Sequence, residues 1–209
     1  MWVVKIGGSL LGAPELAHWL ALFVKFSDGK VIIVPGGGLF ADAVREAQKL
    51  SNISDAVAHK LALLAMDQFG LLLAGMNPGL AIASSELEIA ERGWQHKAIV
   101  WLPSKMVLAD DSLPQNWQVS ADSLSAWLAN KTGAEHLVLL KSKLLDKGPM
   151  QSSVSLKDLA ESQLLDSEFK NFVIEQPYQT WLLNKADYAL FEQGITVQNV
   201  RKNGLLIQA

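Results

Sequence analysis

The chain has 209 residues, 50% hydrophobic and 19% charged, which is enough apolar material for one sizeable core, and a single domain is expected. Its net charge of −3 argues against a nucleic-acid partner, which needs a basic surface. There is no cysteine, so disulfide frameworks and thiolate metal sites are out of reach.

The run 3–9 reads Val-Val-Lys-Ile-Gly-Gly-Ser. Its β-branched start suits a buried strand. Gly7-Gly8 ends that strand where amide N–H groups, unobstructed by a Cβ, can converge on an anion such as phosphate. Lys5 adds a point charge there and Ser9 a hydroxyl; the plain alternative is a tight turn with Lys5 reaching solvent. Pro14 opens a helix in which Leu16, Leu20, Phe23 and Val24 recur at helical spacing up to Asp28-Gly29. Residues 31–34 form a second buried strand, Pro35-Gly36-Gly37-Gly38 a second glycine turn, and Phe40, Ala43, Val44 and Ala47 one face of a second helix. Strand, glycine turn and helix, twice over, is the sequence form of a parallel sheet covered by helices.

Ser54 caps a long helix running towards Gly75. Residues 80–83 read as a strand, and Ser85 with Glu88 forms a capping box for a short helix ending near Gly93. A strand at 98–102 is closed by Pro103, and 106–117 read mainly as loop. Ser120 and Asp122 open a helix with Leu124, Trp127 and Leu128 on its apolar face, stopping at Thr132-Gly133. A strand at 136–140 leads into Lys141-Ser142-Lys143. Beyond it come a polar loop at 148–155, weaker helical patterns to Phe172, a strand at 181–184, a helix at 186–193 and a terminal hairpin pairing 195–197 with 205–207. No basic region followed by an apolar core opens the chain, so no leader peptide is expected. The longest apolar stretch, 61–73, is interrupted by Asp67 and Gln68 and reads as too short to span a bilayer. A soluble protein of the cytoplasm, without a membrane partner, is the expectation.

Several chemistries fail on the motifs. The phosphate loop ending in Gly-Lys-Ser/Thr is absent. Gly36-x-Gly38-x-x-Ala41 matches a dinucleotide fingerprint, but the acid at the required distance, Asp55, falls at a helix start rather than a strand end, leaving an oxidoreductase as a remote alternative. His18, His59, His96 and His136 lie in separate elements and form no metal-ligand cluster. His59 still falls early in the helix after the triple glycine and could face a ligand. Asp122 lies in a first helical turn, where it is either a cap or a charged site residue. Lys141 and Lys143 follow a strand at the edge where parallel sheets place ligands, and otherwise belong to a solvated basic loop. Lys5, two glycine turns, Asp122 and Lys141 gathered at that edge would suit phosphoryl transfer, which asks chiefly for positioning and charge neutralisation.

Taken together, the opening Val-Val-Lys-Ile-Gly-Gly-Ser, the Pro-Gly-Gly-Gly after the second strand and the Ser-Ala-Asp-Ser at 120–123 resemble the amino acid kinase family. The resemblance implies a three-layer αβα sandwich with a mostly parallel central sheet, ATP as phosphoryl donor and Mg²⁺ entering with it. It implies an acceptor-binding part at about 1–140 and a shortened nucleotide-binding part at about 141–209. Lys5 would stabilise the transferred phosphoryl, Gly7, Gly8 and Ser9 would cradle ATP, and Gly36, Gly37 and Gly38, with His59, would hold the acceptor. Asp122 would orient the catalytic lysine. Larger relatives carry a second glycine pair followed by a lysine that reaches ATP. Here no adjacent glycines follow Gly133, and Lys141, Lys143 and Lys147 are the candidates in that order. The short length and the runs around Asp55 to Gln68, Leu102-Pro103-Ser104 and Trp117 to Ser123 resemble the small kinases of methanofuran biosynthesis. That subgroup implies a small phosphomonoester of furan-methyl phosphate type, converted to its diphosphate, and a homo-oligomer. The alternatives are a carboxylate or nucleoside-monophosphate kinase and a relative that binds nucleotide or metabolite without turnover.

Overall fold

The computed structural model describes residues 1–143, 152–162 and 164–208. Strands β1 (Trp2–Ile6), β2 (Val31–Pro35), β3 (Leu80–Ala83), β4 (Ala98–Trp101), β5 (His136–Lys141), β6 (Ser153–Ser155), β7 (Gln179–Asn184) and β8 (Leu205–Gln208) form one sheet in the order β3-β4-β2-β1-β5-β7-β8-β6. All neighbours run parallel except β7 and β8. The three-layer α/β sandwich expected from the sequence is the fold observed. β1 sits in the interior, with Lys5 in register with Val34 of β2 and Leu139 of β5. Its alternation decides which layer each side chain joins. Val3 faces one core with Ile32, Val34, Leu137 and Leu139, and Val4 and Ile6 face the other with Ile33, Val138 and Leu140.

The second of these cores is covered by α1 (Pro14–Phe26) through Leu16, Trp19, Leu20 and Phe23, together with a 3-10 segment (Lys185–Phe191). The first is covered chiefly by α6 (Ala121–Lys131), whose Leu124, Ala126, Trp127 and Leu128 are buried. Helix α2 (Gly38–Ser51) lies against α3 (Asp55–Met76), which begins where Ser54 Oγ accepts from Val57 N as the sequence implied. Among the described residues α3 is the one helix whose length and composition alone would suffice to cross a membrane. Its interruption by Asp67 is therefore weaker than the sequence suggested. What fixes it as a core helix is burial: Leu63, Met66, Phe69 and Leu73 lie in the two cores, and Asp67 accepts from Ser104 N and Oγ at the start of α5 (Ser104–Leu108). Val57, Leu61, Leu64 and Leu71 of the same helix remain exposed.

Five readings of the sequence are corrected or narrowed. Residues 109–117 carry neither helix nor strand, as expected, but 104–108 are helical, the Asp67 carboxylate binding the first-turn amide of Ser104, a partner that no local pattern reveals. The stretch 148–155 ends in β6, which pairs with β8, while 148–151 lie outside the described residues. The helix at 186–193 is instead the 3-10 segment, opened by a capping box between Asn184 and Asp187. The terminal hairpin does not form. Thr196 Oγ1 accepts from Asn199 N and starts α9 (Val197–Asn203), leaving β8 to pair with β6 and β7. Between β3 and β4, α4 (Glu86–Trp94) starts with Ser85 Oγ accepting from Glu88 N. The Glu88 carboxylate reaches Ser84 rather than closing the expected box on Ser85.

The two glycine turns pack on each other. Gly36 N donates to Ile6 O at 2.8 Å, and a Cβ on Gly8 would overlap the Gly38 Cα. Gly38 itself has φ +54, a left-handed conformation that side chains other than glycine's adopt at a cost. Gly8→Ala is therefore expected to lower stability by about 1–3 kcal/mol, the usual cost of overpacking. Gly75→Ala, at a helical position with no atom within 4 Å of the added Cβ, should be neutral or slightly stabilising. Urea denaturation of the two variants beside wild type checks both, and equal stabilities would contradict the contact.

Candidate active site

Lys5, Asp122 and Lys141 meet at the carboxyl edge of the sheet. Lys5 Nζ lies 2.8 Å from Asp122 Oδ1, and Lys141 Nζ lies 2.7 Å from Asp122 Oδ2. The three side chains expose only 10%, 6% and 13% of their surface, so water screens the charges weakly. β1 and β5 are adjacent and parallel, which brings their two lysines to the same edge. Asp122 approaches from the first turn of α6. It does not cap that helix. Ser120 Oγ accepts from Asp122 N, and the carboxylate is left to bridge the two ammonium groups.

Burial pushes the Asp122 carboxyl upward, but Lys5 and Lys141 outweigh it and hold its pKa below the ordinary carboxylate value. Lys141 moves the other way. Burial, then repulsion from the Lys5 ammonium, lowers its pKa to about 8, with Asp122 and Asp166 opposing. Lys141 Nζ also donates to Leu164 O at 2.7 Å. Two cations against one fixed carboxylate leave the triad with a net positive charge, suited to an anion.

The two glycine turns lie near it. Ser9, in the 3-10 turn after Gly7, donates to Ser142 Oγ at 3.2 Å, so the first glycine turn and the residues after β5 are neighbours. Lys143 is exposed, and Lys147 lies outside the described residues. On the other side the N-terminus of α2, at Gly37 and Gly38, has no side-chain cap. Among the described residues no side chain takes its first-turn amides, which point where an anion could accept from them. Next to it opens a cavity of about 60 Å³ lined by Gly37, Ala41, Arg45, His59, Met66 and Trp117 among others. His59 Nδ1 sits 3.0 Å from the Asn116 carbonyl oxygen, which can only accept, so Nδ1 carries the proton. Burial lowers the His59 pKa and keeps the ring neutral, and among the described residues Nε2 has no partner. The sequence reading missed Arg45, whose guanidinium lies 4.7 Å from the centre of the Trp117 ring, and Trp117 itself, which donates to Gln48 Oε1. Arg45 stands one helical turn beyond Ala41 on α2, a spacing that could have flagged it.

A larger cavity, about 630 Å³, contains none of these residues. It opens at the amino ends of the strands, between Met1, Lys30, Trp94 and His96. Parallel sheets place their ligands at the carboxyl ends, and the charged triad is there. Among the described residues no three acidic or histidine side chains gather to hold a metal ion, and both Asp122 oxygens already face ammonium groups.

The model of the amino acid kinase family matches residues 1–167. A [5-(aminomethyl)furan-3-yl]methyl phosphate kinase of Methanocaldococcus jannaschii is 29% identical over 191 residues, covering 88% of both chains. Among solved structures, a uridylate kinase from Archaeoglobus fulgidus is similar with a TM-score of 0.68 and 16% identity, covering 99% of each chain. The product complex of a T. acidophilum isopentenyl phosphate kinase has a TM-score of 0.62 and 14% identity over 100% of each. These two likenesses concern the fold.

Removing Asp122 leaves two ammonium groups facing each other with little water between them. Asp122→Ala is expected to cost about 3–5 kcal/mol, as for other broken buried pairs. Glu46→Ala, which breaks the exposed Lys49–Glu46 pair, should cost about 0.5 kcal/mol or less. Because its folded pKa is depressed, Asp122 contributes stability that is fully present above its unfolded value of about 3.9 and is lost as pH falls through the lower folded value. Urea denaturation at pH 7 measures both variants, and a loss under about 1 kcal/mol for Asp122→Ala would contradict a coupled triad.

Proposed function

The chain belongs to the amino acid kinase family, and from that membership we propose an ATP-dependent kinase that converts a furan-methyl phosphate to its diphosphate in the making of a methanofuran-like C1 carrier. The observation that carries this reading is the Lys5–Asp122–Lys141 triad at the carboxyl edge of the sheet, beside the two glycine turns. ATP would lay its phosphates along Gly7, Gly8, Ser9 and the residues after β5. The acceptor would set its phosphate at Gly37 and Gly38 and the N-terminus of α2, with Arg45 and His59 at the pocket wall, while Gly36, whose N–H is held by Ile6 O, would shape the turn. The part of the chain up to about residue 140 would thus hold the acceptor, and the part from 141 the nucleotide.

In the reaction an acceptor phosphate oxygen attacks the γ-phosphorus, the bond to the bridging oxygen of ADP breaks, and ADP leaves. A phosphomonoester is already ionised at neutral pH, so no base is needed. This agrees with Asp122, which is committed to two ammonium groups and holds them rather than taking a proton. Lys5 and Lys141 neutralise charge on the moving phosphoryl group, the main demand of such a transfer. A phosphate beside His59 would draw a proton onto Nε2, which would then donate to it. Mg²⁺ would neutralise charge on the ATP phosphates, arriving as the nucleotide complex, since the described residues offer it no cage of their own. The exposed apolar face of α3 (Val57, Leu61, Leu64, Leu71) would seat a second copy in the homo-oligomer expected from the resemblance. ATP as donor agrees with the cytoplasmic location expected.

With Mg-ATP and a furan-methyl phosphate, phosphorus NMR is expected to show the coupled resonances of a diphosphate ester. An acyl phosphate formed from a carboxylate acceptor would indicate the carboxylate-kinase alternative, and no ATP consumption with either acceptor would indicate a non-catalytic relative. Lys5→Ala is expected to lower turnover about 100-fold or more, as when one transition-state donor is lost, with the fold retained. In wild type, kcat/KM for ATP, which reports the free enzyme, should fall as pH rises through about 8, where Lys141 loses its proton. Near that pH, nucleotide binding should take up protons, because phosphate favours the ammonium form. Calorimetry in buffers of different ionisation enthalpy measures the uptake, and none at pH 8 would place Lys141 away from the phosphates.

A further inference from the structure

Residues 164–166 reach the triad from a distant part of the chain. Leu165 and Phe169 anchor this stretch in the core beneath α6. Leu164 O accepts from Lys141 Nζ at 2.7 Å. Two residues on, Asp166 Oδ2 accepts from Ser120 N at 3.1 Å, Ser120 Oγ at 2.6 Å and Ser123 N at 3.1 Å, while Oδ1 accepts from Ser123 Oγ. Asp122 lies between those two serines. A carboxylate from another segment therefore grips the turn that carries Asp122, and its backbone neighbour grips the lysine that Asp122 binds.

Resting on the kinase reading above, we propose that Asp166 is a positioning residue for phosphoryl transfer, acting through Asp122 and Lys141. Its hydrogen bonds fix the rotation of the first turn of α6, and with it the Asp122 carboxylate between two strands. Its charge does a second thing. Among the described residues the charged groups that face Lys141 are Lys5, Asp122 and Asp166, and both carboxylates favour the ammonium form against burial and Lys5. Asp166 thus helps keep a proton on Lys141 without touching substrate. An ordinary helix cap would need only an acceptor: Ser54, Ser85 and Thr196 cap their helices here with a single hydroxyl. A carboxylate that collects four donors beside a buried cation does more than that task asks.

Asp166→Asn keeps a side-chain acceptor and removes the charge. Side-chain NMR of the lysines in the ligand-free protein, assigned through Lys141→Met, is expected to show Lys141 titrating below its wild-type midpoint. The alkaline limb of kcat/KM should move down with it, and turnover at pH 7 should fall tenfold or more with the KM for ATP little changed. An unchanged Lys141 midpoint in folded Asp166→Asn would overturn the proposal and leave Asp166 a helix cap. Asp166→Glu retains the charge and carries the test should Asp166→Asn not fold. Its midpoint should stay near wild type while turnover falls, because the extra methylene displaces the α6 turn, and wild-type turnover in that variant would overturn the proposal. The NMR titration needs no turnover. A protein that never consumes ATP would fail the proposed function, whereas a fixed midpoint in an active enzyme would fail only this inference.

Discussion

Two ammonium groups and one carboxylate share a space from which water is nearly excluded, and much of the chain's architecture serves that arrangement. A lysine buried this far is costly unless its charge is met. Asp122 meets two at once, one per oxygen. That geometry requires adjacent strands that end level with each other, which parallel pairing of β1 and β5 supplies. It also requires a helix whose first turn points at the same edge, which α6 supplies by crossing one face of the sheet. In the proposed kinase, the two ammonium groups held there would meet the phosphates.

The glycines answer a second constraint. Two phosphates brought close enough to react must each be held by donors, and the two sets of donors must be adjacent. Gly8 and Gly38 make the turns adjacent by removing side chains from their contact. Reading Gly7-Gly8 for the donor nucleotide and Gly36 to Gly38 for the acceptor treats them as two cradles. The packing joins them into one floor, and a side chain at Gly8 would disturb both.

Much of this was legible in the sequence, for physical reasons particular to each stretch. β1 and β2 are short apolar runs ended by glycines, and α3 is long and capped by Ser54, so local pattern and tertiary role agree. Lys5, Asp122 and Lys141 could be nominated because strand ends and a helix start carry them, though not that one carboxylate would bridge both lysines. The failures lie where partners are remote. Helix α5 depends on Asp67, 37 residues away, and the fate of 195–207 on whether β8 finds β6 and β7 or a neighbour in sequence. Asp166 was invisible for the same reason, since 43 residues separate it from Ser123 and no motif surrounds it.

In the proposed reaction the phosphoryl group crosses between the Lys5 and Lys141 ammonium groups while Asp122 holds both. A crystal structure with Mg²⁺, a non-hydrolysable ATP analogue and an acceptor phosphate tests it most directly. The account predicts the terminal phosphate of the analogue within hydrogen-bond reach of both Nζ atoms, the acceptor phosphate at the N-terminus of α2, and Asp122 still bridging the lysines. A terminal phosphate beyond reach of Lys5 and Lys141, or a nucleotide seated in the cavity at the amino ends of the strands, would contradict it.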